Sequence, residues 1–297
     1  MDPPVRRLLL TTLSLVGTLV FIAAAVWALV TLIMWRYQEF LVFPAPGGID
    51  VSALDQSASE VGADPFRLTT DDGVEIYGWM RRPNPDKDRR CAVLYFHGNG
   101  DVIGNSAPLG RFVARKGCTF LAIAYRGYPG SGGAPSEEGI ARDARALWEH
   151  AAKLGFTPDR ILLHGSSLGG GVAIRLASEV QPAALVTEAT FTSMADVAVE
   201  QYPWIPVRTL LRSPFPSLER APSITAPVLV VHGGADSFIP PAHGRALAAA
   251  FPHARYLEIP ALGHQELVLS DDGCREAYAS LVGWLGQSER PGMPEGW

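Results

Sequence analysis

One stretch, residues 161–178, constrains the fold of this chain more than any other. It reads ILLHGSSLGGGVAIRLAS, in which a short apolar run ends at a His-Gly pair and apolar residues then recur at helical spacing. The stretch predicts a buried strand, a tight turn and a helix, with Ser167 at the apex of the turn. Residues 165–169 match the G-x-S-x-G pattern, whose glycines let the strand and the helix pass close together. Ser166 does not fit the apex, because a pattern centred on it would need glycines where His and Leu stand.

A serine hydroxyl is a weak nucleophile and needs a base within hydrogen-bond reach, and two later segments supply polar partners. Asp236 follows an apolar run at residues 228–231, and His264 follows another at residues 256–259. Both runs are predicted strands, so both side chains lie at the carboxyl edge of a parallel sheet together with Ser167. In such a triad the histidine takes the serine proton and returns it to the leaving group, while the acid fixes the imidazole tautomer.

Further residues near this edge have predicted roles. The backbone N–H groups of Leu168 and of Asn99, which follows the apolar run 92–96, are predicted to stabilise an oxyanion. Glu188 also ends a predicted strand; it is the alternative acid of the triad, and its other interpretation is a structural hydrogen-bonding residue.

Composition and the remaining motifs argue against other classes of function. The formal net charge is -5 and the pI is about 5.8, with no dense basic stretch, so a nucleic-acid partner is not expected. Three predicted strands end in His-Gly, and we interpret this as a shared way of leaving a strand rather than as a zinc site. Those histidines are His97, His164 and His232. No metal and no cofactor is therefore predicted.

The N-terminal region predicts a membrane anchor, assigned to residues 1–36. Residues 8–35 contain no charged side chain, and at about 1.5 Å per residue this run exceeds a hydrocarbon core of about 30 Å. The alternative is a cleaved signal peptide, whose apolar region is normally only about 7–15 residues long. Arg6 and Arg7 favour a cytoplasmic N-terminus and an extracytoplasmic domain, whereas Arg36 weakens that asymmetry.

From residue 92 onward, predicted strands alternate with predicted helices, which is typical of a parallel sheet with helices on both faces. Two earlier strands joined through Asp-Asp-Gly are expected to form the antiparallel edge of this sheet. The predicted divisions after the anchor are an irregular tether at residues 37–65, an α/β domain at 66–288 with a short lid at 189–226, and a tail at 289–297.

Two cysteines, Cys91 and Cys118, each stand just before a predicted strand, at the same end of both. A disulfide is geometrically possible if those strands are neighbours, but two small buried thiols are the favoured interpretation.

Inside the predicted lid, three aromatic residues either line an acyl pocket or pack the lid on the body of the domain, and packing is favoured. They are Tyr202, Trp204 and Phe215.

The chain resembles the membrane-anchored branch of the α/β-hydrolase superfamily, in which one serine-hydrolase domain follows an N-terminal span. The resemblance covers most of residues 37–266 and is carried by YQEFLVFP, YFHGNG, AYRGYPGSGGAPSEEG, HGSSLGGGVA, TFTSMADVAVEQYPWIPVRTLL, PVLVVHGGADSFIP and GHQE. It implies an α/β-hydrolase fold and the same residue roles: Ser167 as nucleophile, Asp236 as acid, His264 as base, and Asn99 and Leu168 as oxyanion donors. One departure is EAT at residues 188–190, where the family has Ser-Pro or Ser-Ala after the Glu.

Together these features predict a membrane-anchored serine hydrolase that cleaves acyl esters or thioesters of lipid-like or small acyl substrates. A peptidase or amidase with the same triad is the alternative within enzymes, and a tethered binding protein without activity is the alternative outside them. The expected partners are a small acyl or lipid substrate and the membrane itself; the oligomeric state is left open.

Overall fold

The computed structural model describes residues 3–47, 50–264, 267–287 and 292–294. The strands are β1 (Asp64–Thr69), β2 (Glu75–Arg81), β3 (Ala92–Phe96), β4 (Thr119–Ala124), β5 (Ile161–Ser166), β6 (Ala184–Glu188), β7 (Val228–Gly233) and β8 (Ala254–Ile259). The helices are α1 (Pro3–Val42), α2 (Val51–Glu60), α3 (Ala107–Arg115), α4 (Glu137–Lys153), α5 (Leu168–Val180), α6 (Met194–Gln201), α7 (Val207–Leu210), α8 (Ser217–Arg220), α9 (Pro241–Ala250) and α10 (Asp272–Leu285).

The described strands form one eight-stranded sheet in the order β1-β2-β4-β3-β5-β6-β7-β8. β2 runs antiparallel to both β1 and β4, and the remaining neighbours are parallel. β5 therefore lies inside the sheet, between β3 and β6, and its carboxyl end points to the edge where the other parallel strands also end. The mostly parallel sheet with an antiparallel edge that the sequence predicts is confirmed.

Both faces of this sheet are covered, which explains why its central strands are apolar without interruption. In β3, Leu94 and Phe96 belong to one core, together with side chains of α4, α5 and α9. Val93 and Tyr95 point to the opposite face and belong to a second core, with side chains of α3 and α10. The side-chain period of two residues per strand thus divides the interior into two layers.

The region between the anchor and the sheet differs from the predicted irregular tether at residues 37–65. α1 continues to Val42, and a ten-residue helix, α2, follows with the Asp50 side chain capping its N-terminus. Gln38 and Val42 are buried against the domain, which holds the end of α1 in place. Pro44, Pro46 and Gly47 follow the end of α1, and α1 and α2 form on either side of this segment.

α1 is long and apolar enough to cross a membrane, and none of its apolar core is buried against the rest of the described protein. Among the residues that the structure describes, it is the one helix with these properties. The prediction of an N-terminal span is therefore supported by length and composition.

Cys91 and Cys118 form a disulfide, so the favoured prediction of two free thiols is wrong. The residues that follow them, Ala92 and Thr119, pair directly in the parallel β3–β4 ladder, which brings the two cysteine Cα atoms to 4.7 Å. Cys274 is a buried free thiol. The predicted tail at 289–297 lies mostly outside the described residues.

Candidate active site

The strand, turn and helix predicted around Ser167 are present, and the serine sits in a strained conformation between β5 and α5. Its φ of 52° and ψ of -117° lie in a region that L-residues other than glycine rarely adopt. A Cβ on Gly165 would lie 2.0 Å from the carbonyl oxygen of Gly169, and a Cβ on Gly169 would lie 1.9 Å from that of Phe96. The turn therefore closes only because both flanking positions lack a side chain.

The structure brings Ser167, His264 and Asp236 together above the carboxyl edge of the sheet. The Ser167 Oγ lies 2.9 Å from Nε2 of His264, and Nδ1 of His264 lies 2.7 Å from Oδ2 of Asp236. The three residues follow β5, β8 and β7 respectively, so the parallel strands place them at the same edge. Gln265 and Glu266, the last two residues of the GHQE motif, lie outside the described residues.

Asp236 is held as an ionised hydrogen-bond acceptor. Its side chain is fully buried, and its Oδ1 accepts the backbone N–H groups of Phe238 and Ile239, each at 2.9 Å. Burial alone opposes ionisation, but hydrogen bonds from His232, His264 and the Ile239 amide outweigh it and keep the pKa of Asp236 well below its ordinary value. The carboxylate is thus charged at neutral pH and orients the His264 ring.

The two predicted oxyanion donors lie on either side of the serine. Leu168 is the first residue of α5, where a backbone N–H has no partner within the helix. Asn99 follows Gly98, and a Cβ on Gly98 would lie 3.5 Å from the Ser167 Cβ, so the loop after β3 passes close to the serine. The Asn99 side chain donates to the carbonyl of Val42 at 3.3 Å, so this loop also contacts the end of α1.

Glu188 takes the structural role rather than a place beside the serine. Its side chain is buried, one oxygen is hydrogen-bonded to His164 Nε2, and the other accepts the N–H groups of Leu267 and Val268 at 2.8 and 3.1 Å. Burial raises the pKa of this carboxyl, but the hydrogen bonds and the charge interaction with His164 bring it below its ordinary value. Glu188 therefore fixes the loop that follows His264.

The three histidines that end strands have separate partners. His97 Nδ1 bonds the carbonyl of Gly98 at 2.8 Å, His164 pairs with Glu188, and His232 Nε2 bonds the carbonyl of Ile239 at 2.9 Å. Within the described parts of the chain there is no group of three or more His, Cys, Asp or Glu side chains arranged to hold a metal ion.

Two cavities meet at Ser167. One, of about 230 Å³, is lined mostly by apolar side chains of α1, of α6 and of the lid segment that follows α6. The other, of about 860 Å³, is wider and more polar, and it includes His264, Asp101 and Arg111. The serine thus separates an apolar chamber from a polar, solvent-open one.

The lid aromatics divide between the two interpretations that the sequence left open. Phe215 is 1% exposed and packs in the core against Phe43 and Phe191, so packing is confirmed for this residue. Tyr202 lines the apolar cavity and remains 39% exposed. Trp204 is 51% exposed, and its backbone carbonyl accepts a hydrogen bond from Trp27 of α1.

Comparison with known proteins gives relatives of the whole domain. The family described as Serine aminopeptidase, S33 (Hydrolase_4) matches residues 87–219. The uncharacterized protein Rv2307c of Mycobacterium tuberculosis is 38% identical over 85% of this chain and 89% of its own length. The alpha/beta hydrolase domain-containing protein WAV2 of Arabidopsis thaliana is 30% identical over 79% of this chain and 83% of its own length.

Among solved structures, the Pyrococcus furiosus esterase Pf2001 superposes with a TM-score of 0.63 at 19% identity, over 82% of this chain and 97% of that one. At this identity the match concerns the fold. The structural match shows the α/β-hydrolase fold, and the sequence relatives show that the chain belongs to the alpha/beta hydrolase domain-containing family.

Proposed function

We propose that this chain is a membrane-anchored serine hydrolase that cleaves acyl esters or thioesters through an acyl-enzyme on Ser167. The observation that carries the proposal is the unbroken hydrogen-bonded chain from the Ser167 hydroxyl through the His264 ring to the Asp236 carboxylate. A serine, a base within reach of it and an acid that orients the base are the requirements for nucleophilic catalysis of acyl transfer.

In the proposed first step, Ser167 Oγ attacks the carbonyl carbon while its proton moves to Nε2 of His264. The oxyanion binds the N–H groups of Leu168 and Asn99; one such donor typically contributes about 2.7–4 kcal/mol to lowering the barrier. The bond from the acyl carbon to the leaving oxygen or sulfur then breaks, and His264 gives its proton to that atom. Asp236 keeps Nδ1 of His264 protonated and stabilises the imidazolium.

In the second step, His264 takes a proton from water, and the resulting hydroxide attacks the acyl carbon of the acyl-enzyme. The ester bond to Ser167 breaks, the serine regains its proton from His264, and the carboxylic acid leaves. No redox step occurs, and the residues in place account for every proton transfer.

The two cavities support a substrate that joins an apolar acyl chain to a polar leaving group. An apolar chamber on one side of the serine suits a hydrocarbon chain, and the polar, open cavity on the other side suits a hydrophilic leaving group. The family description names a serine aminopeptidase, so an amidase or peptidase activity is the second candidate.

A fluorophosphonate probe tests whether the serine is reactive at all. Wild-type protein should be labelled and Ser167→Ala should not, while Ser178→Ala, a control on the same helix α5, should be labelled like the wild type. Unlabelled wild-type protein would instead support the tethered binding protein without activity. Hydrolysis of p-nitrophenyl esters with amino-acid p-nitroanilides left intact separates the esterase from the peptidase, and the opposite preference would overturn the ester assignment.

We also propose that α1 crosses the bilayer once and places the hydrolase domain outside the cytoplasm. Arg6 and Arg7 before the span favour this orientation, and the disulfide between Cys91 and Cys118 requires an oxidising compartment. Protease added to intact cells or spheroplasts should then remove the domain, whereas full protection of the domain would reverse the topology.

A further inference from the structure

The apolar cavity beside Ser167 has an unusual wall, because the membrane helix itself contributes one side of it. The residues of α1 that line the cavity are Thr31, Met34, Trp35, Gln38, Leu41 and Val42. The opposite wall comes from the lid, chiefly from Met194, Val197 and Ile205. Ser167 and Leu168 lie at the inner end. The cavity therefore leads from the nucleophile along the membrane helix.

The lining residues of α1 share one face of the helix. Their spacing of three, four and seven positions is that of a single stripe along an α-helix. Ile33 and Phe40, which stand between them in the sequence, are not part of the cavity lining and are exposed. One face of the same helix thus lines the cavity while another is left for lipid or solvent.

Polar contacts hold α1 against the lid. The Gln38 side chain donates to the carbonyl of Leu210 at 3.1 Å and accepts the N–H of Arg212 at 2.7 Å. The Arg212 guanidinium lies 4.7 Å from the centre of the Trp35 ring, which is a cation–π arrangement. Because the polar atoms of Gln38 are used in these contacts, the α1 wall of the cavity is mostly apolar, with the Thr31 hydroxyl as its polar exception. These contacts make the end of α1 part of the folded domain.

The lower end of the cavity lies close to the expected membrane boundary. A span of about 20 residues that starts at Leu8 ends near Trp27. Trp27 Nε1 donates to the carbonyl of Trp204 at 2.9 Å, so the lid reaches down to this level. Thr31 is one turn further along, about 6 Å from Trp27. The exposed rings of Tyr202 and Trp204 beside this end are the residue types enriched at membrane interfaces.

We propose that the C-terminal part of α1 is one wall of the acyl-binding site, and that the acyl chain of a bilayer lipid enters this site laterally, between α1 and the lid. The proposal rests on the hydrolase function proposed above. The hydrocarbon chain of the substrate leaves the bilayer along the apolar face of α1, its carbonyl stops at Ser167, and its polar group faces the wider, solvent-open cavity. The anchor thus determines substrate class as well as location.

An alkyl fluorophosphonate with a photoreactive diazirine at the end of its chain tests this placement. In full-length protein reconstituted in phosphatidylcholine vesicles, the probe first reacts with Ser167, and illumination then crosslinks its chain end to the wall of the cavity. Crosslinks within residues 31–42 of α1 are expected. Labelling of Ser167 with crosslinks only to the lid or to lipid would overturn the proposal, whereas failure to label Ser167 would overturn the hydrolase function instead.

Substitutions on neighbouring residues of α1 give an independent kinetic test. Met34→Trp narrows the cavity, and each methylene kept out of an apolar site weakens binding by about fourfold. The ratio of kcat/KM for a decanoyl ester to that for an acetyl ester should fall at least about tenfold in Met34→Trp, since more than one methylene loses its place. In the control Ile33→Trp, on the exposed face, the ratio should stay at the wild-type value.

An unchanged ratio in Met34→Trp, in protein that still hydrolyses the acetyl ester, would refute the proposed wall. A second comparison tests the route of entry. Decanoyl esters embedded in the same vesicles as the enzyme should be cleaved faster than decanoyl esters embedded in separate vesicles that are mixed with the enzyme-containing ones. Equal rates in the two mixtures would show that the substrate enters from water and would overturn the lateral route.

Discussion

The Glu188→Gln substitution separates a structural carboxylate from a catalytic one, and the structure sets its expected cost. Glu188 ends β6 next to the elbow, and the Ser167 N–H donates to its backbone carbonyl at 2.8 Å. Its side chain accepts from Leu267 and Val268 and pairs with His164. Because this side chain holds the backbone of Leu267 and Val268 just after His264, Glu188 is expected to influence activity only through the position of the His264 ring.

The magnitude follows from the kind of hydrogen bond that is lost. Hydrogen bonds to a charged group contribute about 1.5–3 kcal/mol each, and neutral ones about 0.5–1.5 kcal/mol. In Glu188→Gln the amide oxygen still accepts from Leu267 and Val268, and its NH₂ group donates to His164 once that ring changes tautomer. Three charge-assisted bonds then become neutral, at a cost of about 1 kcal/mol each, which lowers the free energy of unfolding by about 3 kcal/mol. For a domain of this size the unfolding midpoint should fall by roughly 5–10 °C.

The assay pairs thermal unfolding of the detergent-solubilised full chain with hydrolysis of a p-nitrophenyl ester. Glu188→Gln should lose stability but keep kcat within about tenfold of the wild type. Asp236→Asn should show the reverse: it retains the Oδ1 bonds to backbone, yet loses about 10³–10⁴-fold in kcat, because the wrong imidazole tautomer faces the serine. Glu149→Gln, which removes an exposed charge on α4, is the control and should change stability by less than about 0.5 kcal/mol.

The result that would refute the reasoning is an exchange of the two phenotypes. If Glu188→Gln lost more than about 10³-fold in kcat at an unchanged unfolding midpoint, and Asp236→Asn remained nearly as active as the wild type, Glu188 would be the acid of the triad. The same measurement therefore decides between the two acids that the sequence left open.

Three further predictions concern the turn, the disulfide and pH. The Cβ of Gly169→Ala would lie 1.9 Å from a carbonyl oxygen of β3, so this variant should lose about 3 kcal/mol of stability or more and should not be labelled by the fluorophosphonate probe. Gly283→Ala has open space at its Cβ and should be neutral or more stable by up to about 1 kcal/mol. Equal unfolding midpoints for the two variants would contradict this prediction. Replacing Cys91 and Cys118 by alanine, which opens a link across a sequence separation of 27, should lower the unfolding free energy by about 3–4 kcal/mol; alkylation of unreduced, unfolded wild type should detect one thiol, and three thiols would contradict the disulfide. The buried carboxylates of Glu188 and Asp236 have lowered pKa values in the folded state, so their contribution to stability is complete above about pH 4 and is lost as the pH falls further. A urea-unfolding midpoint that does not change with pH between about 6 and 3 would refute this.

Local sequence patterns were sufficient for the elements and for the nucleophile. The run before Ser167 is apolar because β5 is buried on both faces, and its flanking glycines are required by backbone contacts only a few residues apart. Such short-range constraints leave a clear pattern in the chain. The same holds for β3, since the apolar run at residues 92–96 coincides with the strand in the structure.

The sequence also set the length and apolar character of the N-terminal helix, but its role could not be derived from composition. The residues of α1 that line the cavity look like the rest of an apolar span, and only the packing of the lid against Gln38 distinguishes one face from the others. The predicted tether failed for the same reason. Val42 and α2 are ordered by contacts with a domain that is distant in sequence, and such contacts override local glycine and proline signals.

What the sequence determined by itself was the order of the strands and helices and the presence of serine, acid and histidine at the ends of apolar runs, because these depend on local periodicity. Only the tertiary structure decided which acid reaches His264, that Cys91 and Cys118 meet, and that a membrane helix borders the cavity beside the serine. Those outcomes depend on the sheet order and on side chains far apart in the chain, and periodicity carries no information about which distant residues become neighbours.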